Sequence, residues 1–220
     1  MIIVLARADA NFGVASDRAE SVYKKPDFGH VGKAFVSCRG SPNVCRKEWD
    51  DDNDHGTRCA GIADAIDNTE GVVGVSTEAT LHAVKVLDKS GSGSFSDVAD
   101  GIRWTADQGY DVGSMSLGGS SSSTVKDACQ YACDKGVLLV AAAGNDGPCS
   151  DCVSYPVAYQ EVIAVSATSC DDSPAGFSST GREVELAGPA RTSTRPSPGA
   201  ATPSAARRWR VRTSPAPGAS

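Results

Sequence analysis

Four apolar segments, interleaved with two capped helical ones, constrain the fold of this chain more than any other feature. Leu81-His82-Ala83-Val84-Lys85-Val86-Leu87 reads as a buried strand. Ser96 then stands where a helix N-cap belongs, and Val98, Ile102 and Trp104 take apolar positions on a helix reaching Gln108. Gly109 closes that helix, and Asp111 to Leu117 is the next strand. A second helix runs from Ser123 or Thr124 to Lys135, again followed by a glycine, Gly136. Val137 to Ala143 and Val162 to Ala167 are two further apolar strands. Strands apolar on both faces, alternating with helices, predict an α/β fold with a parallel sheet buried between helical layers over residues 32–189. In such sheets the reactive groups gather beyond the carboxyl ends of the strands.

The two ends of the chain do not share this pattern. Residues 1–31 are poorly patterned, although Met1 to Leu5 is a short apolar run. That run leads into Ala6 and Arg7 without the layout of a secretion signal, so no signal peptide is read in this sequence. Residues 190–220 are almost all Ala, Pro, Ser, Thr, Gly and Arg and predict disorder or an out-of-frame tail. Nothing approaches eighteen consecutive apolar residues, so no membrane-spanning helix is expected.

Charge is divided in the same way. The segment from Arg191 to Ser220 holds six of the 21 Lys+Arg and none of the 27 acids, which leaves residues 1–190 at a formal −12. So acidic a globular part suits a hydrated, salt-tolerant surface, or ordinary surface charge, and argues against nucleic-acid binding. The eight cysteines are many for a reducing compartment. Cys38 and Cys45 bracket a Gly/Pro-containing loop, Cys149 and Cys152 form a C-x-x-C inside another, and both pairs are expected to be loop-closing disulfides. A zinc site or a redox pair at Cys149-x-x-Cys152 is the alternative.

Three motifs carry chemistry. Asp54-His55-Gly56-Thr57-Arg58-Cys59-Ala60-Gly61 puts a histidine at a helix start, where it can serve as a general base or simply as a structural residue. Ala142-Ala143-Gly144-Asn145-Asp146-Gly147 follows a buried strand, and its asparagine can aim an amide at a developing oxyanion or merely build a turn. Ser114-Met115-Ser116-Leu117-Gly118-Gly119 ends a strand in glycines, where an extended peptide can add as a further strand.

In this order and context the three motifs resemble the subtilisin-like serine proteases, or subtilases, over residues 26–189. Ala106-Asp107-Gln108-Gly109, Ala128-Cys129-Gln130-Tyr131-Ala132 and Val184-Glu185-Leu186-Ala187 are similar to the halolysin-type secreted proteases of salt-loving archaea. Arg58 and Cys59 resemble the kexin branch, which the remaining motifs do not follow. The resemblance implies a three-layer fold with a central parallel sheet and helices on both faces, incomplete at its carboxyl end. It implies a secreted, monomeric serine endopeptidase acting on proteins and peptides. His55 matches the catalytic base and Asn145 the oxyanion donor. Ser116, Leu117 and Gly118 match one wall of the pocket for the residue before the cleaved bond, and Ala142, Ala143 and Gly144 the other. Ser92, Gly93 and Ser94 match the strand that pairs with substrate. Asn68, with backbone around Ile66, Glu70 and Val72, matches a calcium-binding loop, although Glu70 stands at a position usually apolar.

Two departures matter. The family needs an aspartate in an Asp-Thr/Ser-Gly motif to orient the histidine, and no such motif is present. Pro26-Asp27-Phe28 points back to Asp17 as the best match, ahead of Asp9, with Arg18 and Ala19 where small residues belong. After Val184 to Pro189 the family continues to Gly-Thr-Ser-x-Ala-x-Pro, whose serine is the nucleophile. Here the sequence turns to Arg191-Thr192-Ser193-Thr194-Arg195-Pro196, text that GC-rich coding DNA yields in a wrong frame. Thr213-Ser214 is only a faint match. The expectation is a subtilase domain inactive as written, with a dead peptide-binding fold or a non-functional gene product as alternatives. The missing helix is expected to leave apolar strand surface uncovered around Val137 to Val140.

Overall fold

The computed structural model describes residues 2–7, 32–35, 51–53, 55–64, 75–76 and 79–190, with backbone alone for residues 2–7, 32 and 64. In chain order the elements are β1 (Ile2–Arg7), β2 (Gly32–Ala34), α1 (His55–Asp64), β3 (Thr80–Lys85), α2 (Phe95–Asp107), β4 (Val112–Met115), α3 (Ser123–Asp134), β5 (Leu138–Ala142), β6 (Val162–Thr168) and β7 (Val184–Pro189). The seven strands form one sheet in the order β2-β3-β1-β4-β5-β6-β7. β2 runs parallel to β3, and β4, β5, β6 and β7 are parallel in succession.

One strand departs from the expected parallel pattern. β1 lies between β3 and β4 and is antiparallel to both. It comes from the segment read as poorly patterned, and its identity explains the place. Ile2-Ile3-Val4-Leu5-Ala6 is a continuous apolar run, a composition that suits a strand with neighbours on both sides. The handedness rule for βαβ units governs parallel neighbours only, so it does not apply to the antiparallel pairings of β1.

The N-cap expected at Ser96 is Ser94 instead, two residues earlier, and the reason is local. Ser94 is the N-cap, its hydroxyl accepting from the Asp97 N–H while the Asp97 carboxylate accepts from the Ser94 N–H. Asp97 at the third helical position completes this reciprocal cap with Ser94, and no residue does so for Ser96. The two helices end where expected, with Gly109 at φ +69° and Gly136 at φ +86°.

Strand alternation sends one set of side chains to each face of the sheet. Val84, Val86, Met115, Leu139, Ala141, Val162 and Ala164 point to the face covered by α2 and α3. They pack there on Val98, Ile102 and Ala106 of α2 and Val125, Ala128 and Ala132 of α3. The opposite face is polar around Lys85, which is fully buried and ion-paired with Asp52. Leu138, on that opposite face, is 49% exposed, whereas Val137 and Leu139 are buried. The uncovered surface expected around Val137 to Val140 is therefore confined to one side of the strand. Residues 191–220, and with them the expected disorder of the tail, lie outside the described residues.

Candidate active site

β3 and β4 flank β1, and α2 carries the chain from one side of it to the other. This is the switch point at which parallel sheets place ligands, beyond their carboxyl ends. The segments after β3, β4 and β5 all leave from that edge, because Met115 pairs with Ala141 and Val4, antiparallel, with Ser114.

His55 is the first residue of α1 and is half-buried. Asp51, four residues earlier, braces this helix start. Its buried carboxylate accepts from the Thr57 N–H at 2.7 Å, the Thr57 hydroxyl at 2.7 Å and the Asn53 N–H at 3.1 Å. Burial works to raise the Asp51 pKa, but these hydrogen bonds outweigh it and hold the carboxyl below its usual 3.8. Burial also lowers the His55 pKa from 6.5, with the Asp51 charge pulling the other way. The imidazole is then neutral at pH 7, the state a general base needs.

On the Nδ1 side of His55 stands a thiol. Cys59 Sγ is 3.6 Å from His55 Nδ1, one helical turn on, and the Ser116 side chain acts on the same thiol, working to lower its pKa. Burial raises the Cys59 pKa from 9.0, so the group is a neutral thiol. The contact ties the start of α1 to the residue that follows β4. Asp17, expected to orient the histidine, lies outside the described residues, as does Asp9. The strand inserted between β3 and β4 presents its amino end at this edge, with Ile2 opposite Lys85, and leaves at Arg7 opposite Thr80, on the far edge.

Ser92 and Ser94 serve the turn and cap that join β3 to α2. The Asp88 carboxylate accepts from the Ser90 and Ser92 N–H groups, and the Ser92 carbonyl accepts from the Asp88 N–H. Gly93 lies against the Val86 carbonyl so closely that a Cβ there would meet it. Ser116, Leu117 and Gly118 follow β4 directly, and Gly119 pairs with Tyr155 through two backbone hydrogen bonds of 2.8 and 3.1 Å.

Ala142 ends β5, and Ala143 N–H donates to the Val165 carbonyl at 2.8 Å. Gly144 follows at φ +122°, where a side chain would be strained and a Cβ would sit 2.7 Å from Ser179 Oγ. Asn145 is exposed just beyond, and the next N–H, of Asp146, donates to Ser179 Oγ at 3.1 Å. Ser154 is a residue the motifs did not point to. A Cβ on Gly118 would lie 2.6 Å from its Oγ and a Cβ on Gly144 3.5 Å from it, so it stands between the two segments. No spacing in the sequence marks Ser154, because the disulfide loop separates it from both.

Cys149 and Cys152 form a disulfide, as the loop reading expected and the zinc reading did not. Cys38, Cys45, Asn68 and the backbone around Ile66, Glu70 and Val72 lie outside the described residues. Among the described residues no group of three or more His, Cys, Asp or Glu side chains is placed to hold a metal ion. No described helix is long and apolar enough to cross a membrane.

The subtilase family model, Peptidase S8, matches residues 22–213. The chain belongs to the subtilase family. Subtilisin DY of Bacillus licheniformis is 46% identical over 142 residues, 63% of this chain and 52% of that protein. The minor extracellular protease Epr of Bacillus subtilis (strain 168) is 47% identical over 142 residues, 64% of this chain and 22% of that protein. Among solved structures, the psychrophilic subtilisin-like protease Apa1 from the Antarctic psychrotroph Pseudoalteromonas sp. AS-11 matches with a TM-score of 0.63 at 35% identity. That match covers 76% of this chain and 38% of the other. This subtilase chain thus spans about half the length of subtilisin DY and less of the other two.

Proposed function

We propose that this chain is the larger part of the catalytic domain of a serine endopeptidase. His55 is the general base, Asn145 donates to the oxyanion, and peptide substrates lie along Ser92–Ser94 and Ser116–Gly118. The residue before the cleaved bond enters between Ser116–Gly118 and Ala142–Gly144. The observation that carries this reading is the contact from His55 through Cys59 to Ser116. It sets the helix that begins with His55 against the carboxyl end of β4, beside the parallel strand that leads into Asn145. The histidine's neutral state favours the assignment, since His55 takes the serine proton and returns it to the leaving amine, while donors at the oxyanion act without reorganising.

The 220-residue chain by itself is expected to show little or no turnover, because no Gly-Thr-Ser-x-Ala-x-Pro motif occurs in it. The test is a chimera that continues after Pro189 with the carboxyl-terminal part of a subtilase carrying that motif. It should hydrolyse casein and react with a fluorophosphonate. His55→Ala should cost about 10⁶-fold, the loss that removing the histidine causes in subtilisin itself. Asn145→Ala should cost about 10²–10³-fold, again by the precedent of subtilisin. A folded chimera without activity, or one indifferent to His55→Ala, sinks the assignment. The absence of the serine motif also favours a second reading, a peptide-binding subtilase fold. Micromolar binding of denatured casein by the unaltered chain would support it.

Three finer points belong to the same proposal. Asp17 remains the candidate orienting aspartate, supported by its distance in sequence from Pro26-Asp27-Phe28. Calcium bound around Asn68 is supported by the oxygen donors that such a loop offers, and a chelator should then lower the melting temperature. An extracellular, salt-rich setting is supported by the Cys149–Cys152 disulfide and by the acid surplus of residues 1–190.

A further inference from the structure

The loop that follows Asn145 has no regular secondary structure and is held almost entirely by its grip on residues 177–181. Gly147 N–H donates to the Phe177 carbonyl at 3.0 Å, and Asp146 N–H to Ser179 Oγ at 3.1 Å. Ser179 N–H in turn donates to the Gly144 carbonyl at 3.1 Å. The remaining grip is on Thr180, and it is made by the two disulfide-bonded residues themselves. Cys152 N–H donates to the Thr180 carbonyl at 3.0 Å, and the Thr180 hydroxyl donates to the Cys149 carbonyl. One residue is therefore held at two points, and the spacing of those points is set by the Cys149–Cys152 cross-link, whose Cα atoms are 6.0 Å apart. Ser179, adjacent to Thr180, bonds to the residues on either side of Asn145.

We infer that the Cys149–Cys152 disulfide is a redox-set clamp that fixes the Asn145 loop against residues 177–181. Both cysteines are half-buried at an exposed tip formed by Ser150 and Asp151, so a small dithiol can reach the bond. One thiolate of the dithiol attacks one sulfur, and its second thiolate resolves the mixed disulfide. The Cys149–Cys152 bond breaks, two thiols form with two protons, and the dithiol leaves as its own disulfide. Closing a ring of four residues reduces the open states of the loop by about 20-fold. Its loss frees Cys149 O and Cys152 N from their fixed spacing and loosens Thr180, then Ser179, then the backbone at Asn145. The importance of this clamp for catalysis rests on the proposed role of Asn145; its existence does not.

Hydrogen exchange on the full chain tests it, comparing the oxidised protein, the protein reduced with dithiothreitol and alkylated, and the Cys149→Ser/Cys152→Ser double variant without reductant. The double variant separates this bond from any other cystine that the reductant opens. Peptides covering Gly147, Cys152 and Ser179 should exchange about tenfold or more faster in both altered forms, with β3 and α2 unchanged. Unchanged exchange in that loop overturns the clamp, and so does equal acceleration in β3 and α2, which would make the bond a general stabiliser. If the double variant does not fold, mass spectrometry of the alkylated cysteines identifies a reducing condition that opens Cys149–Cys152 alone, and the protein so reduced decides. Failure here leaves Asn145's role intact, whereas full turnover of an Asn145→Ala chimera would remove that role and leave the clamp.

Discussion

The two faces of the sheet are held by different physics. Toward α2 and α3 the contacts are apolar and closed: Ile102, Met115 and Leu139 are each 1% exposed. Toward the other face the sheet presents Lys85, buried and paired with Asp52, and Leu138, which is half in solvent. The closed face tolerates no loss of volume, because close-packed interiors relax only partly around a cavity. The polar face depends on partners, because a buried charge without one is costly. The candidate active site is built at the carboxyl end of the sheet, where Asp51, Asp52 and Thr57 order the approach to His55. A site that must hold and move charge is found where hydrogen bonds rather than apolar contacts do the ordering.

The sharpest way to break this contrast is at Lys85. Lys85→Ala leaves the Asp52 carboxylate without its ammonium partner and should destabilise the fold by about 3–5 kcal/mol, measured by urea denaturation. A loss below about 1 kcal/mol would mean that water reaches the pair, as it does for exposed ion pairs. Next in size is Leu139→Ala on the closed face, expected to cost about 2–5 kcal/mol by the same measurement.

Asp51 offers a titration. Its folded pKa lies below the unfolded value, so the unfolded chain binds the proton first as pH falls. Its contribution is complete above about pH 4 and is lost as pH falls through the folded pKa. His55, also depressed, adds a loss that begins as pH drops below 6.5. Asp51→Asn should therefore flatten the stability curve below about pH 4 and, by removing the charge that supports the His55 imidazolium, steepen the slope near pH 6. An unchanged acid limb would show that Asp51 carries no linked stability. The smallest effect is expected at Leu138→Lys, within about 0.5 kcal/mol of the parent, with less self-association in sedimentation. A loss matching that of Leu139→Ala would show that something covers this side of β5.

Much of this was legible before any coordinates. Apolar strands, helix-closing glycines and the three motifs are local statements, and local physics decides them. A fully apolar run cannot be solvated, and a glycine after a helix adopts the left-handed turn at little cost. The start of α2 was misread by two residues because Ser94 and Ser96 are equal as types, and only Asp97 at the right offset distinguishes them. What tertiary structure alone decided is of another kind. The direction of β1 could not be read, since an apolar run has the same period of two in either sense. Ser154 between Gly118 and Gly144, Cys59 beside both His55 and Ser116, and Thr180 held by two cysteines join segments that the sequence keeps far apart. Such contacts depend on which strands become neighbours, and that follows from burying the whole sheet at once rather than from any window of residues.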